Sequence, residues 1–493
     1  VYDVARKTPL ERMQLMSARI ENEVYLKRED QQDVFSFKIR GAYNKISGLS
    51  AEQRERGIIG ASAGNHAQGI ALSATRLGIR GVIVVPKTTP DIKVDAIKRL
   101  GGEVVLHGNT YDEASAHAYQ LAEESGAVFI HPYDDEAVIA GQGTVAREIL
   151  EQIPEVPDAV FIPVGGGGLI SGMAAWLKHQ HPAVRVIGVE PDDAPCLYEA
   201  LQAGERVVLD QVGIFADGVA VRQVGKLPFE IAQQLVDEVV LVNTDEICAA
   251  IKDIYDECRL IAEPAGALAL AGLKKYVTRE GLTGQNLVAI NSGANMNFDR
   301  LRHVAERAEI GEQKESIFAV TIPERPGSFQ EFCHLIGNRG ITEFNYRYAD
   351  ASDAHVFAGI QLKDGEKEKQ AVLEKLREKQ FPVVDLSNDE MAKQHIRYMV
   401  GGRSPNLGNE RLYRFEFPER PGALLRFLTH LKGQWNISLF HYRNHGSDYG
   451  RVLAGFQVPD EEMNEFRTFL DCLGYTYGDE TDNPAYKLFL AST

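Results

Sequence analysis

The stretch Ser36-Phe37-Lys38-Ile39-Arg40-Gly41-Ala42 sets one lysine between two apolar residues, after a short polar loop and at the expected start of a helix. Apolar neighbours desolvate an ammonium, lower its pKa and free the amine to act as a nucleophile or base. Such an amine condenses with carbonyls, including the aldehyde of a carbonyl cofactor. By itself the heptapeptide also describes an ordinary solvated lysine near a helix start. Three further stretches bear on the same chemistry.

Ser62-Ala63-Gly64-Asn65-His66-Ala67-Gln68-Gly69 follows a short strand at Ile58-Ile59. It puts small residues and an amide at a strand-to-helix turn, where free backbone N–H groups can hold an anion. Ser62 and Asn65 read equally well as helix N-caps, and His66 as a helix-start histidine or a base. Gly165-Gly166-Gly167-Gly168-Leu169 comes directly after a strand ending at Val164 and before an amphipathic segment. Four glycines let a backbone approach a phosphate, and the following helix points its N-terminus at the charge. The loop is neither a Walker A motif nor a GxGxxG fingerprint. Asn291-Ser292-Gly293-Ala294-Asn295 closes the last strong strand, and strand C-termini are where ligands sit in open α/β sheets. Ser292 there is a turn former or a hydroxyl able to meet a neutral ring nitrogen.

The elements that must position these stretches alternate. Apolar runs at Gly81–Pro86, Glu103–Leu106, Ala127–Ile130, Ala159–Val164, Arg185–Val189 and Asn286–Ile290 are separated by helical segments such as Thr110–Gly126 and Val138–Gln152. Continuous apolar strands between amphipathic helices are βαβ units around parallel sheets. About 300 residues of this pattern exceed what one sheet carries, so two α/β lobes with a cleft between them are expected. A chain of 493 residues calls for two to four domains. A net charge of −17 argues against a general affinity for nucleic acid or anionic membrane. No apolar run is long enough to cross a bilayer, and the first residues do not form a signal peptide. Cys196, Cys248, Cys258, Cys333 and Cys472 form no CxxC pair and no metal-ligand spacing, as expected of reduced thiols in a cytoplasm with no bound metal.

After Arg300 the character changes. Residues 305–316 form a charged, linker-like stretch, and the chain then repeats itself. Ile322-Pro323-Glu324-Arg325-Pro326-Gly327 recurs as Phe417-Pro418-Glu419-Arg420-Pro421-Gly422, Ile341–Arg347 as Ile437–Arg443, and Val356–Gln361 as Val452–Gln457. Three blocks in one order, at a shift of 95 and then twice 96 residues, mark a duplication with a single one-residue insertion. Each copy reads strand, turn, helix (Ser328–Asn338; Ala423–Lys432), strand, strand, helix (Glu366–Lys379; Glu461–Leu473), strand, the βαββαβ order of a ferredoxin-like sandwich. Gly401–Asn406 separates the copies. None of their side chains is set up for catalysis, so binding or assembly is their expected role.

With its motifs in this order and at these separations, nearly the whole chain resembles the biosynthetic threonine dehydratases (threonine deaminases), fold-type II enzymes that use pyridoxal 5'-phosphate. The resemblance implies an α/β catalytic domain of two lobes, like the tryptophan synthase β chain, over residues 1–304. A linker at 305–316 and an α+β regulatory domain of two ferredoxin-like, ACT-like subdomains at 317–400 and 411–493 follow from it. It implies Lys38 as the lysine bonded to the cofactor aldehyde and as general base, with Phe37 beside the ring. Asn65 would hydrogen-bond the ring's 3-hydroxyl, Gly165, Gly166, Gly167, Gly168 and Leu169 would hold the phosphate, and Ser292 would meet the pyridine nitrogen. Ser62, Ala63, Gly64 and Asn65 would receive the substrate carboxylate. The implied reaction converts L-threonine to 2-oxobutanoate and ammonia, the first step of isoleucine biosynthesis. Isoleucine would inhibit it and valine oppose that inhibition, with Tyr346 and Tyr442 as effector contacts in a cytoplasmic homotetramer. Racemization or dehydration of serine on the same fold, and a non-catalytic amino-acid sensor, are the alternatives. The paired C-terminal module and the complete motif set count against them.

Overall fold

The computed structural model describes residues 1–325, 327–337, 339–348, 352–399, 401–404, 407–418, 423–431, 434–443 and 449–491. Expectations touching Pro326, Asn338, Pro405, Asn406, Glu419 to Gly422 and Lys432 lie outside the described residues. The chain divides into a unit of Val1–Gly311 and a unit of Glu312–Thr493.

The first unit holds two sheets. The strands in chain order are β1 (Leu10–Arg12), β2 (Glu23–Arg28), β3 (Ile58–Ala61), β4 (Gly81–Val85) and β5 (Glu103–Leu106). Then come β6 (Val128–Phe129), β7 (Ala159–Pro163), β8 (Arg185–Pro191), β9 (Glu238–Val242) and β10 (Asn286–Asn291). A six-stranded sheet runs β1-β2-β10-β7-β8-β9 and a four-stranded sheet β5-β4-β3-β6. All pairings are parallel except β1 with β2. Every residue of β3, β4 and β7 is buried, which accounts for their uninterrupted apolar sequences. The helices covering them start on side-chain caps where sequence supplies one: Thr110 and Asn243 each close a capping box with a glutamate.

One close approach and one buried charge network set the lobe built on the six-stranded sheet. The Glu136–Gln152 helix packs on the Gly168–Gln180 helix, and a Cβ at Gly172 would lie 2.2 Å from the Ile139 carbonyl oxygen. Only glycine allows that contact, which holds the tetraglycine loop at the end of β7. A buried charge network ties the Lys38–Ser47 helix to the same lobe. Arg40 donates to Glu29 at 2.7 Å and to Glu148 at 2.6 Å, and Lys27 donates to Glu148 at 2.6 Å. All four side chains are fully inaccessible.

The expected linker at 305–316 is corrected. Residues up to Gly311 belong to the Arg300–Gly311 helix, and β11 (Glu315–Pro323) follows almost at once. The charges that looked solvated are partly employed: Arg307 is buried and pairs with Asp245.

The second unit is one antiparallel sheet built by the two copies. Its strands are β11, β12 (Ile341–Arg347), β13 (Asp353–Gln361), β14 (Val383–Asp385), β15 (Glu410–Pro418), β16 (Asn436–Arg443), β17 (Tyr449–Gln457) and β18 (Thr476–Asp479). The order β14-β11-β13-β12-β16-β17-β15-β18 is two ferredoxin-like sheets joined edge to edge. The join is β12 against β16, running from Glu343 opposite Arg443 to Arg347 opposite Leu439. Each copy has its register irregularity at the equivalent place, between Ile341 and Glu343 and between Ile437 and Leu439. Pairing the two exposed edges in this way removes both. Across the join Phe344 meets Phe440 edge to face at 5.4 Å, and Arg347 of one copy pairs with Glu410 of the other. Among the described residues no helix is long and apolar enough to cross a membrane.

Candidate active site

Lys38 is the first residue of its helix, with Phe37 at the cap position. The segment before it is fastened to the end of β10: the Phe37 N–H donates to the Ser292 carbonyl at 3.2 Å, and Ser36 bridges to Gly293. The Lys38 ammonium donates to the Pro132 carbonyl at 3.0 Å and lies 5.3 Å from the centroid of the Phe37 ring. Burial brings its pKa down to about 8, against the opposing pull of Glu263. The amine is thus far more available at neutral pH than that of a solvated lysine.

The turn after β3 delivers Asn65 as the first residue of the Asn65–Leu77 helix, with Gly64 as N-cap. Ser62 therefore does not cap the helix; its hydroxyl accepts from the Gly64 N–H at 3.2 Å. His66 is engaged with the backbone and does not line the cavity at Lys38. Its Nε2 pairs with the Ile130 carbonyl at 2.9 Å, and burial pushes its pKa down to about 3, so it is neutral.

Gly165 to Gly168 pass under Tyr133 and Val219. A Cβ at Gly166 would lie 2.2 Å from the Tyr133 ring, one at Gly165 3.0 Å from the Val219 backbone and one at Gly168 3.0 Å from the Tyr133 backbone. Gly167 has φ +91° and is the N-cap of the Gly168–Gln180 helix, with no side chain satisfying the first N–H groups. The result is a bare backbone cradle opening a helix, suited to a dianionic group.

One cavity collects these parts. It is lined by Phe37, Lys38, Asn65, Gly165 to Leu169 and Ser292, and also by Tyr133, Pro163, Gly218, Val219, Glu263 and Ala265. Ser62, Ala63 and Gly64 are not in its wall; of that turn Asn65 alone reaches it. Tyr346 and Tyr442 belong to the second unit, where both are buried; the Tyr346 hydroxyl donates to Glu324. The Ser292 hydroxyl donates to the Ala265 carbonyl at 3.2 Å.

Of the lining residues that the sequence does not single out, two carry ionisable side chains. Glu263 is a lone acid before Pro264 inside an apolar run, and that isolation was its only signal. Burial pushes its carboxyl up to about 7. Tyr133 sits in His131-Pro132-Tyr133-Asp134-Asp135, a stretch without a familiar pattern. Its neighbours hold the loop: Asp134 accepts from the N–H groups of Lys226 and Leu227, and Asp135 caps the Glu136–Gln152 helix.

The donor set fits pyridoxal phosphate: a desolvated amine for the aldehyde, a side-chain-free cradle for the phosphate, an amide and a hydroxyl for the ring. Gly166→Ala tests the cradle. The added methyl must displace the Tyr133 ring, and overpacking of this kind costs about 1–3 kcal/mol. Titration of the apoprotein with the cofactor, followed by fluorescence, should show affinity weakened roughly ten- to hundredfold. Unchanged affinity would mean that the phosphate lies elsewhere.

Comparison with known proteins identifies the relatives of this chain. Residues 1–293 match the family of pyridoxal-phosphate dependent enzymes, and residues 306–396 and 401–490 each match the C-terminal regulatory domain of threonine dehydratase. The biosynthetic L-threonine dehydratase IlvA of Pasteurella multocida is 56% identical over 491 residues, covering 99% of this chain and 95% of that protein. Among solved structures, the processed threonine deaminase isoform 2 of Solanum lycopersicum is 52% identical with a TM-score of 0.61, over 62% of this chain and 89% of that one. Maize serine racemase is 33% identical with a TM-score of 0.58, over 62% of this chain and 93% of that one.

Proposed function

The chain belongs to the pyridoxal-phosphate-dependent threonine dehydratases that carry a C-terminal regulatory domain, and from that premise we propose how its residues divide the work. The enzyme is a lyase of biosynthetic type with pyridoxal phosphate as cofactor. Threonine loses its Cα proton and its β-hydroxyl, and the released enamine hydrolyses to 2-oxobutanoate and ammonia. The bound cofactor supplies the electron sink for the charge left at Cα.

Lys38 would hold the cofactor by its aldehyde carbon, and its desolvated amine is the base placed to take the Cα proton. The backbone of Gly165 to Leu169 would hold the phosphate, and Phe37 would flank the ring. Asn65 would give its remaining N–H to the ring oxygen. The Ser292 hydroxyl, which here donates to the Ala265 carbonyl, would turn to meet the ring nitrogen and, unlike a carboxylate, would not keep it protonated. The Ser62–Asn65 turn, of which Asn65 alone lines the cavity, would receive the substrate carboxylate at the cavity's edge. The observation that carries this reading is the sharing of one cavity by a desolvated amine, a side-chain-free phosphate cradle, Asn65 and Ser292. Racemization would need a second base on the other face of Cα. Of the cavity residues, Glu263 is the candidate, and its carboxylate is already engaged with Asn65.

Isoleucine is the proposed inhibitor and valine its antagonist, acting through the second unit. Tyr346 and Tyr442 both lie in the strands that join the two copies, β12 and β16. An effector beside them bears on the seam between copies, and its coupling to substrate is reciprocal. A homotetramer is the proposed assembly, since closed symmetry is usual for regulated oligomers. Five free cysteines fit a reducing cytoplasm.

The test is an absorbance spectrum of the purified protein, then threonine addition with 2-oxobutanoate measured at increasing isoleucine. The expected outcome is a bound-cofactor band, product, and suppression by isoleucine. Tyr346→Phe, which removes the hydroxyl held by Glu324, should raise the isoleucine concentration for half-inhibition about tenfold, the worth of one hydrogen bond to a charged group. No band even with cofactor supplied would overturn the reading of Lys38. Wild-type inhibition in the variant would move the effector site elsewhere.

A further inference from the structure

Glu263 is the one carboxylate among the cavity-lining residues described, and the reaction as set out above gives it no task. It stands immediately before the Pro264–Glu280 helix and is 4% exposed. Its backbone N–H donates to the Gly293 carbonyl at 3.2 Å. A Cβ at Gly293 would lie 2.5 Å from its Oε1, so the carboxylate is closely confined.

Its Oε1 accepts a hydrogen bond from Asn65 Nδ2 at 2.6 Å. The other end of the same amide is held too. Asn65 Oδ1 accepts from Asn295 Nδ2 at 2.7 Å, and Asn295 Nδ2 also donates to the Val34 carbonyl at 2.8 Å. A carboxamide has one oxygen acceptor and two N–H donors, and in a loose setting it can present either end. Asn65 cannot. Turning it over would face its oxygen toward the Glu263 carboxylate and its NH2 toward the Asn295 NH2, two repulsive pairs in a buried place.

We propose that Glu263 is a positioning residue that, together with Asn295, locks the Asn65 amide so that its remaining N–H, not its carbonyl, is what the cavity offers to the cofactor's ring oxygen. The inference rests on the reading of Asn65 given above. A donor there stabilises negative charge on that oxygen; a carbonyl would repel it. Glu263 therefore tunes the bound cofactor without touching the substrate.

The experiment uses the full-length protein loaded with pyridoxal phosphate. Glu263→Met keeps length and apolar packing but removes the acceptor, whereas Glu263→Gln keeps an oxygen for Asn65. Three quantities are read: the absorbance maximum of the bound cofactor, the rate of cofactor release, and kcat and KM for threonine. In Glu263→Met the maximum is displaced, release is about tenfold faster, and kcat falls with KM little changed. Glu263→Gln restores all three toward wild type. Asn295→Leu moves the spectrum in the same direction, and the double variant goes little further than either single one, because both act through Asn65. Should Glu263→Met fail to fold, as judged by circular dichroism, Asn295→Leu carries the test.

A spectrum and release rate unmoved by Glu263→Met or Asn295→Leu would overturn the inference alone. So would a Glu263→Gln as disturbed as Glu263→Met, which would point to the carboxylate's charge instead. A wild-type protein with no cofactor band would overturn the functional reading, and this inference with it.

Discussion

Lys38→Ala lowers kcat for threonine by at least about a thousandfold, the upper range for loss of a positioned general base. It also abolishes the absorbance band of the covalently held cofactor, while the glycine cradle still retains cofactor by its phosphate. The size of the effect follows from what surrounds the amine. Its pKa is brought to about 8 by burial, and among the described residues that line the cavity no other base is free to replace it. Glu263 is engaged with Asn65, and His66, outside the cavity wall, is brought by burial to a pKa of about 3, too weak a base for the task. Lys38→Arg is the sharper control. It keeps positive charge and length, yet a guanidinium neither gives up its proton nor condenses with an aldehyde, so it is as inactive as alanine. Turnover by either variant near the wild-type rate, measured as 2-oxobutanoate formed, would remove Lys38 from the chemistry.

The second large effect is on stability. Glu29→Gln costs about 3–5 kcal/mol, because it leaves Arg40 in a fully buried site with part of its charge unbalanced. Burial alone pushes the Glu29 carboxyl up, but Arg40 and then Lys27 outweigh it and hold it below the ordinary carboxylate value. Burial likewise lowers Lys27, against Glu148 and Glu29. The four charges therefore stand or fall as a balanced set. The double variant Glu29→Gln/Arg40→Met restores neutrality, leaving the 2.6 Å Lys27–Glu148 pair intact, and should lose less than the single one. Urea unfolding of each variant measures both. A single variant within about 0.5 kcal/mol of wild type, or a double variant that simply adds the losses, would show that the charges do not act as a unit.

Much of the site was legible because its chemistry uses residue types that are rare in those settings. A lysine between apolar neighbours, four consecutive glycines after a buried strand and a serine at a strand's end each announce a local requirement. The duplication was legible too, since equal spacing survives substitution, and it carried the βαββαβ order of both copies. The linker was misread for a reason that can be stated. Residues 305–311 are charged, and charge at an element's boundary looks like solvent exposure until its partner is known. Arg307 has that partner in Asp245, sixty-two positions earlier in the chain.

What the sequence by itself determined is the set of local conditions: which segments must be buried, where helices start and which backbone stretches can bear no side chain. These depend on neighbours a few residues away, and hydrophobic periodicity and glycine placement record them directly. What only the tertiary structure decided is which distant groups share a cavity and which way each one is turned. Glu263 was an isolated acid until folding set it 2.6 Å from Asn65, 198 positions away. Tyr133 was unremarked until its ring came to rest against Gly166. Hydrogen-bond partnership and desolvation arise from contacts between remote segments, and no spacing along the chain encodes them.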